Sequence, residues 1–253
     1  MKLTLPDVAL ELRECATLED YHQCLELQRR VWQVSETDVV PTHIFLVTGL
    51  IGGQTLGVFT EQGRLVAFSH MLPLVAGPRH DYHSHMLAVA PELQNRGVGR
   101  ELKLRQRQRA LGEGVARIVW TFDPLEARNA YFNLVKLGAV TRSYKVDFYG
   151  HSTSAMHQGL ATDRLYVEWF VASPRVEQCL AGSSPAGPAI EATIEIPGNV
   201  QALKQNDLGL ARDWQLQIRE QFQGLFDQGL WCVGLQRKAG AGRSEYLFAA
   251  DWK

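Results

Sequence analysis

The stretch Leu87-Ala88-Val89-Ala90-Pro91-Glu92-Leu93-Gln94-Asn95-Arg96-Gly97-Val98-Gly99-Arg100 decides how this chain is read. Its first half is an apolar run closed by Pro91, as a strand would be. Its second half opens a basic helix predicted from about Gly97 to Leu111. The first turn of a helix leaves about four backbone N–H groups without internal partners and carries positive partial charge. Gly97 and Gly99 remove the Cβ atoms that would hold a ligand off that backbone, and Arg96 and Arg100 add charged donors. The segment is shaped for a pyrophosphate. A dinucleotide-binding fingerprint would need a third glycine where Leu102 stands, and a P-loop would need a Gly-Lys-Ser/Thr that is absent here. The bland alternative is a tight turn with a solvated basic helix behind it.

Upstream, Val8, Leu10 and Leu12 alternate with polar neighbours and predict a strand. Thr17-Leu18-Glu19-Asp20 is an acidic variant of the capping box, and Leu18, Tyr21, Leu25 and Trp32 follow at helical spacing. Residues 55–61 and 64–73 read as two strands joined at Gln62-Gly63, and residues 82–90 as a third. Downstream, Gly112 and Gly114 stop the basic helix, and residues 118–122 form a short strand. Asp123-Pro124 is expected to open a second helix that runs through residues 128–137 and ends at Gly138. Residues 140–149 alternate again. This order predicts an α/β (α+β) arrangement around a mixed, twisted sheet flanked by helices.

Composition shifts near Gly150, and two domains are expected, residues 1–151 and a C-terminal α/β extension, residues 152–253. In the extension residues 164–171 and 190–196 read as strands, residues 173–187 are rich in Ser, Gly and Pro, and residues 208–226 are helical. Leu210, Trp214, Ile218 and Leu225 are its expected apolar stripe. Residues 230–235 and 246–250 complete the strands. This extension carries no chemical motif.

The 253 residues have a net charge of -1, so no bulk attraction to nucleic acid or membrane is implied. Cys15, Cys24, Cys179 and Cys232 are scattered, which argues against a thiolate metal site or disulfide framework and suits a reducing compartment. No signal core opens the chain, and no run approaches the roughly 20 apolar residues that span a bilayer. The expectation is a cytoplasmic protein.

Gln94-Asn95-Arg96-Gly97-Val98-Gly99, between strand and helix, resembles the signature Q/R-x-x-G-x-G/A of the GNAT acyltransferases. The resemblance spans residues 8–150 and implies the GNAT fold, with acetyl-CoA or another acyl-CoA as co-substrate. It implies that Gln94, Asn95, Arg96, Gly97, Val98, Gly99 and Arg100 bind the coenzyme's pyrophosphate. The backbone of Leu87, Ala88 and Val89 would pair with pantetheine, and Asn129 and Phe132, on the helix flanking the coenzyme arm, would contact it. In the family a tyrosine four residues before the terminal glycine of that helix protonates the leaving thiolate. Leu134 stands at that position here, and the nearest tyrosine is Tyr131, either the relocated acid or a packing aromatic. The run Trp120 to Leu134, with the long tail from Asp163, resembles a bacterial group of predicted GNAT proteins, some encoded near enolase-type N-acylamino acid racemases. That likeness implies an amino-acid acceptor and a succinyl-CoA donor, whose distal carboxylate would need a cation such as Arg128, Arg142 or Lys145.

In Tyr82-His83-Ser84-His85 the period of two places His83 and His85 on one face of a strand. The resemblance puts His83 where GNAT enzymes carry a catalytic glutamate, and a histidine with an ordinary pKa of about 6.5 can act as a base near neutrality. Two alternatives stand beside the base: a polar cleft wall, and a metal cluster of His80, Asp81, His83 and His85 with His70. The expected function is transfer of an acyl group to a small-molecule amine, with no metal, nucleic acid or membrane partner, and a tail that either walls the acceptor site or forms a homodimer contact. Its rivals are a non-catalytic acyl-CoA-binding module and, last, a histidine-based metal hydrolase.

Overall fold

Strands of alternating polarity build the first half of the chain. The computed structural model describes residues 2–5, 8–77, 79–150, 152–154, 157–185, 187–238 and 242–253. Its internal contacts form two units, Met1–Ile118 with Thr153–Met156, and Val119–Ser152 with His157–Lys253.

In the first unit β1 (Lys2–Leu5), β2 (Val8–Glu14), β3 (Gln54–Thr60), β4 (Leu65–Ala76) and β5 (Arg79–Val89) pair antiparallel in sequence order. The strand β1 has no counterpart in the sequence reading. The helix α1 (Leu18–Trp32) begins where the capping box predicts: Asp20 N donates to Thr17 Oγ1 at 3.1 Å, and Thr17 N to Asp20 Oδ2 at 3.2 Å. Arg13 of β2 grips the same carboxylate at 2.9 and 2.8 Å, tying strand to helix. A further helix, α2 (Thr42–Leu50), was not expected, because Thr42-His43-Ile44-Phe45-Leu46-Val47-Thr48 has no polar face to set a period. Its Phe45 is buried and stacks on Tyr21 with ring centres 5.7 Å apart.

The helix α3 (Val98–Gly112) buries Val98, Leu102, Lys103, Gln106 and Ala110. Gly114, in the left-handed region, follows it.

β6 (Arg117–Phe122) leads into the second unit. There follow α4 (Ala127–Ala130), β7 (Val140–Lys145), β8 (Arg164–Phe170), α5 (Pro174–Leu180), β9 (Ala192–Pro197), α6 (Val200–Asn206), α7 (Leu208–Asp227), β10 (Trp231–Lys238) and β11 (Arg243–Ala249). The strand order is β6-β8-β7-β10-β11-β9, so a later strand slots between two earlier ones. The second helix starts later than Asp123-Pro124 predicts. Asp123 Oδ1 instead accepts from Leu125 N at 2.9 Å and closes a turn. Past α4 the helix widens to π geometry over Tyr131–Lys136 and stops before Gly138, whose φ is 73°.

Within the Ser-, Gly- and Pro-rich residues 173–187, Ser173 caps α5, accepting from Val176 N at 3.3 Å. Of the stripe expected on α7, Ile218 is buried and Trp214 and Leu225 are half-buried, whereas Leu210 is exposed; Ala211, Gln215 and Phe222 complete the buried face. Asp207 caps the helix through Leu210 N and so places Leu210 in the exposed first turn. The interior holds Trp169, which donates to Leu137 O at 2.7 Å and meets Trp120 edge-on. Asp163, fully buried, accepts from both Arg219 nitrogens at 2.9 and 3.0 Å and from the Tyr144 hydroxyl at 2.6 Å. The four cysteines are free and buried. No described helix is long and apolar enough to cross a membrane.

Candidate active site

The turn between β5 and α3 is built from backbone conformations that most residues avoid. Asn95 has φ 62° and Gly97 φ 87°; asparagine tolerates the left-handed region and glycine enters it without penalty. Gln94 Nε2 reaches back to Val89 O at 3.1 Å and holds the turn against the strand end. Gly97 occupies the cap position of α3, and no side chain caps that end. The first amides of α3, at Val98, Gly99 and Arg100, therefore meet the helix's positive end. A Cβ on Gly97 would meet nothing within 4 Å, and one on Gly99 would lie 3.4 Å from Leu87 Cδ2, an ordinary contact. Neither glycine is demanded by crowding inside the protein. Asn95 and Gly97 are exposed, while Val98 is buried and anchors the turn.

The strand β5 runs up to this turn. Opposite His70 and Met71 of β4 stand Met86 and Ser84, so His85 is the extra residue of a β-bulge. The bulge turns the exposed His85 beside the half-buried His83, with ring centres 5.8 Å apart, so the expected pairing of these two histidines is found. The surrounding protein partly desolvates both rings and lowers their pKa; His83 is held down to about 4, first by its burial and then by His85 and Lys103. His70 lies 6.2 Å from His85 but is wholly buried between two hydroxyls, Thr55 Oγ1 at 2.8 Å and Thr48 Oγ1 at 3.1 Å, and burial pushes it to about 3. It is a neutral core residue. Asp81 is bonded to Arg117 at 2.6 Å, and among the described residues no three His, Cys, Asp or Glu side chains gather as a metal site.

Sequence reasoning missed one feature of this strand. Lys103, on the basic helix, is buried and donates to Ser84 Oγ at 2.8 Å; Ser84 in turn donates to Gln106 Oε1 at 2.9 Å. The signal was present in Val98, Leu102, Gln106 and Ala110, whose spacing brings Lys103 to the covered face.

The remaining candidates lie in the second unit. Asn129 is exposed in α4, and Phe132 is half-buried in the π segment. Tyr131 is half-buried, its ring flanked by Lys136 Nζ at 5.5 Å and Arg237 Cζ at 5.8 Å. Leu134, where the family's tyrosine would stand, is buried in the core, and Asn133 is turned inward to accept from Trp120 Nε1 at 3.2 Å.

Residues 13–135 match the model of the Acetyltransferase (GNAT) family. That segment is similar to a GNAT acetyltransferase domain. The fold is accordingly α/β, a mixed sheet flanked by helices, and the matched segment is of the acetyltransferase class. The ribosomal-protein-S18-alanine N-acetyltransferase from Escherichia coli superposes with a TM-score of 0.50 at 15% identity, covering 65% of this chain and 95% of that one. A GNAT-family acetyltransferase from Streptococcus pneumoniae gives a TM-score of 0.50 at 17% identity, covering 63% of this chain and 98% of that one. No curated protein matches the chain. The GNAT match places the Gln94–Arg100 turn inside the matched segment, and the family's co-substrate is acetyl-CoA. Strands β7 to β11 lie beyond that segment.

Proposed function

We propose that the protein moves an acetyl or succinyl group from coenzyme A to the amino group of a small molecule, an amino acid being the acceptor class. The observation that carries this reading is the uncapped start of α3 behind a left-handed Gly97, at the end of a strand bearing two adjacent histidines. The pyrophosphate lies on the amides of Arg96 to Arg100, where the helix end supplies about half a positive charge. Leu87, Ala88 and Val89 offer backbone to the pantetheine arm, and one N–H there polarises the thioester carbonyl. Asn129 and Phe132 steady the arm.

Attack is direct. The amine nitrogen bonds to the carbonyl carbon, the carbon–sulfur bond breaks, the ammonium proton passes to His83 or His85, and Tyr131 protonates the thiolate. At neutral pH both imidazoles are unprotonated and ready to accept. His83, at about 4, is a weak acceptor, which assigns the larger share to the exposed His85.

Release of free thiol from acetyl-CoA and succinyl-CoA, followed across a panel of amino acids and other amines, tests the reading. Amine-dependent release is expected, and His85→Gln should lower kcat by about 10²-fold or more with little change in KM for the thioester. Because Leu134 replaces the family's acid, binding of CoA thioesters without release by any amine would leave a non-catalytic binding module. Succinyl-CoA consumed no faster than acetyl-CoA would remove the succinyl donor.

A further inference from the structure

A cavity of about 700 Å³ opens within the second unit, where α4, the start of α6 and the facing ends of β10 and β11 meet. Its ionisable lining is four cations, Arg128, Arg237, Lys238 and Arg243, against one carboxylate, Glu126. Two of the cations are already answered: Lys238 bonds Glu195 at 3.0 Å and Glu245 at 3.1 Å, and Arg243 is paired with Glu195. Glu126 is engaged by the side-chain amide of Gln201. Among the described residues no carboxylate lies within ion-pair distance of Arg128, and Arg237 packs its guanidinium over Tyr131 instead. The cavity thus keeps two planar, permanently charged forks, a geometry that suits a bidentate oxyanion.

We propose that this cavity seats the carboxylate of the acceptor amine, with Arg128 and Arg237 as its partners. The assignment rests on the acyltransfer reading, because what places the occupant near the chemistry is the contact of Arg237 with Tyr131, the proposed acid. Arg237 is then a specificity-determining residue, and neutral amines are poorer substrates.

Calorimetric titration of the full chain with sodium succinate, in the absence of coenzyme, tests the cavity alone. Binding of order 1 mM is expected, weakening with added salt, and Arg128→Gln and Arg237→Gln should each weaken it about tenfold. Arg237→Lys, which keeps the charge and loses the fork, should recover part of the loss; melting curves like the parent's confirm that the variants fold. No succinate heat, or equal affinity in parent and variants, overturns the proposal while leaving thiol release intact as a separate result. Titrations with coenzyme A and its 3′-dephospho form separate the other source of an oxyanion. Unchanged coenzyme affinity in both variants supports the acceptor site. A loss for coenzyme A that the dephospho form does not share assigns the cavity to the coenzyme's phosphate and overturns the acceptor role.

Discussion

Gly97 and Gly99 serve the same turn for different physical reasons. Gly97 is needed for its conformation, since φ 87° strains any side-chain-bearing residue even in open space. Gly99 has no such constraint, and a methyl there meets only ordinary contacts with Leu87 and Val89. Gly99→Ala is therefore expected to leave the melting temperature within a degree or two of the parent, as for a change worth under about 0.5 kcal/mol, yet to weaken acetyl-CoA binding about tenfold or more. Titration calorimetry beside a melting curve reads both. Equal affinity in parent and variant would show that no ligand approaches that backbone. His70 carries a second residue-scale prediction. Its folded pKa of about 3 lies below the ordinary histidine value of 6.5, so the unfolded chain binds the proton more readily. Its contribution is intact above about pH 6.5 and is lost as the pH falls toward the folded value. His70→Gln should flatten the decline of melting temperature with falling pH, measured across that window.

Among the elements, caps and turns were legible because their chemistry is local. Thr17 and Asp20 of α1 lie three residues apart and bond each other's backbone, and Gln62-Gly63 falls between β3 and β4 as read. Thr17→Ala removes an acceptor for a helix-end amide and should cost about 1 kcal/mol, read as an earlier urea midpoint. Elements without a polar face were not legible. The apolar run of α2 offers no period, and the face of α7 was set by what it packs on, choosing Ala211 and Phe222 over Leu210. The bulge at His85 was equally hidden, since a bulge depends on the partner strand's register and not on the residues that form it.

At the scale of the whole molecule, two units each carry an interior and a polar tie of their own. In the second, Asp163 joins the β7 side to α7 by accepting from Tyr144 and Arg219. Asp163→Ala would leave a guanidinium and a phenol without their buried partner, a loss of about 3–5 kcal/mol. Scanning calorimetry should show a lowered transition, while acetyl-CoA affinity at the start of α3 survives below it. A melting profile equal to the parent's would remove this lock from the account of the unit's stability.

The glycine turn ahead of α3, the histidine strand and the helices and strands with a clear period were legible in the sequence, because the period of an element and the conformational freedom of glycine act within a few residues. The burial of Lys103 against Ser84, the separation of the core histidine His70 from the exposed His85, and the gathering of Arg128, Arg237 and Arg243 around one cavity were decided only by tertiary structure. Each depends on residues distant along the chain, whose solvation and charge balance take their values only once packing brings them together.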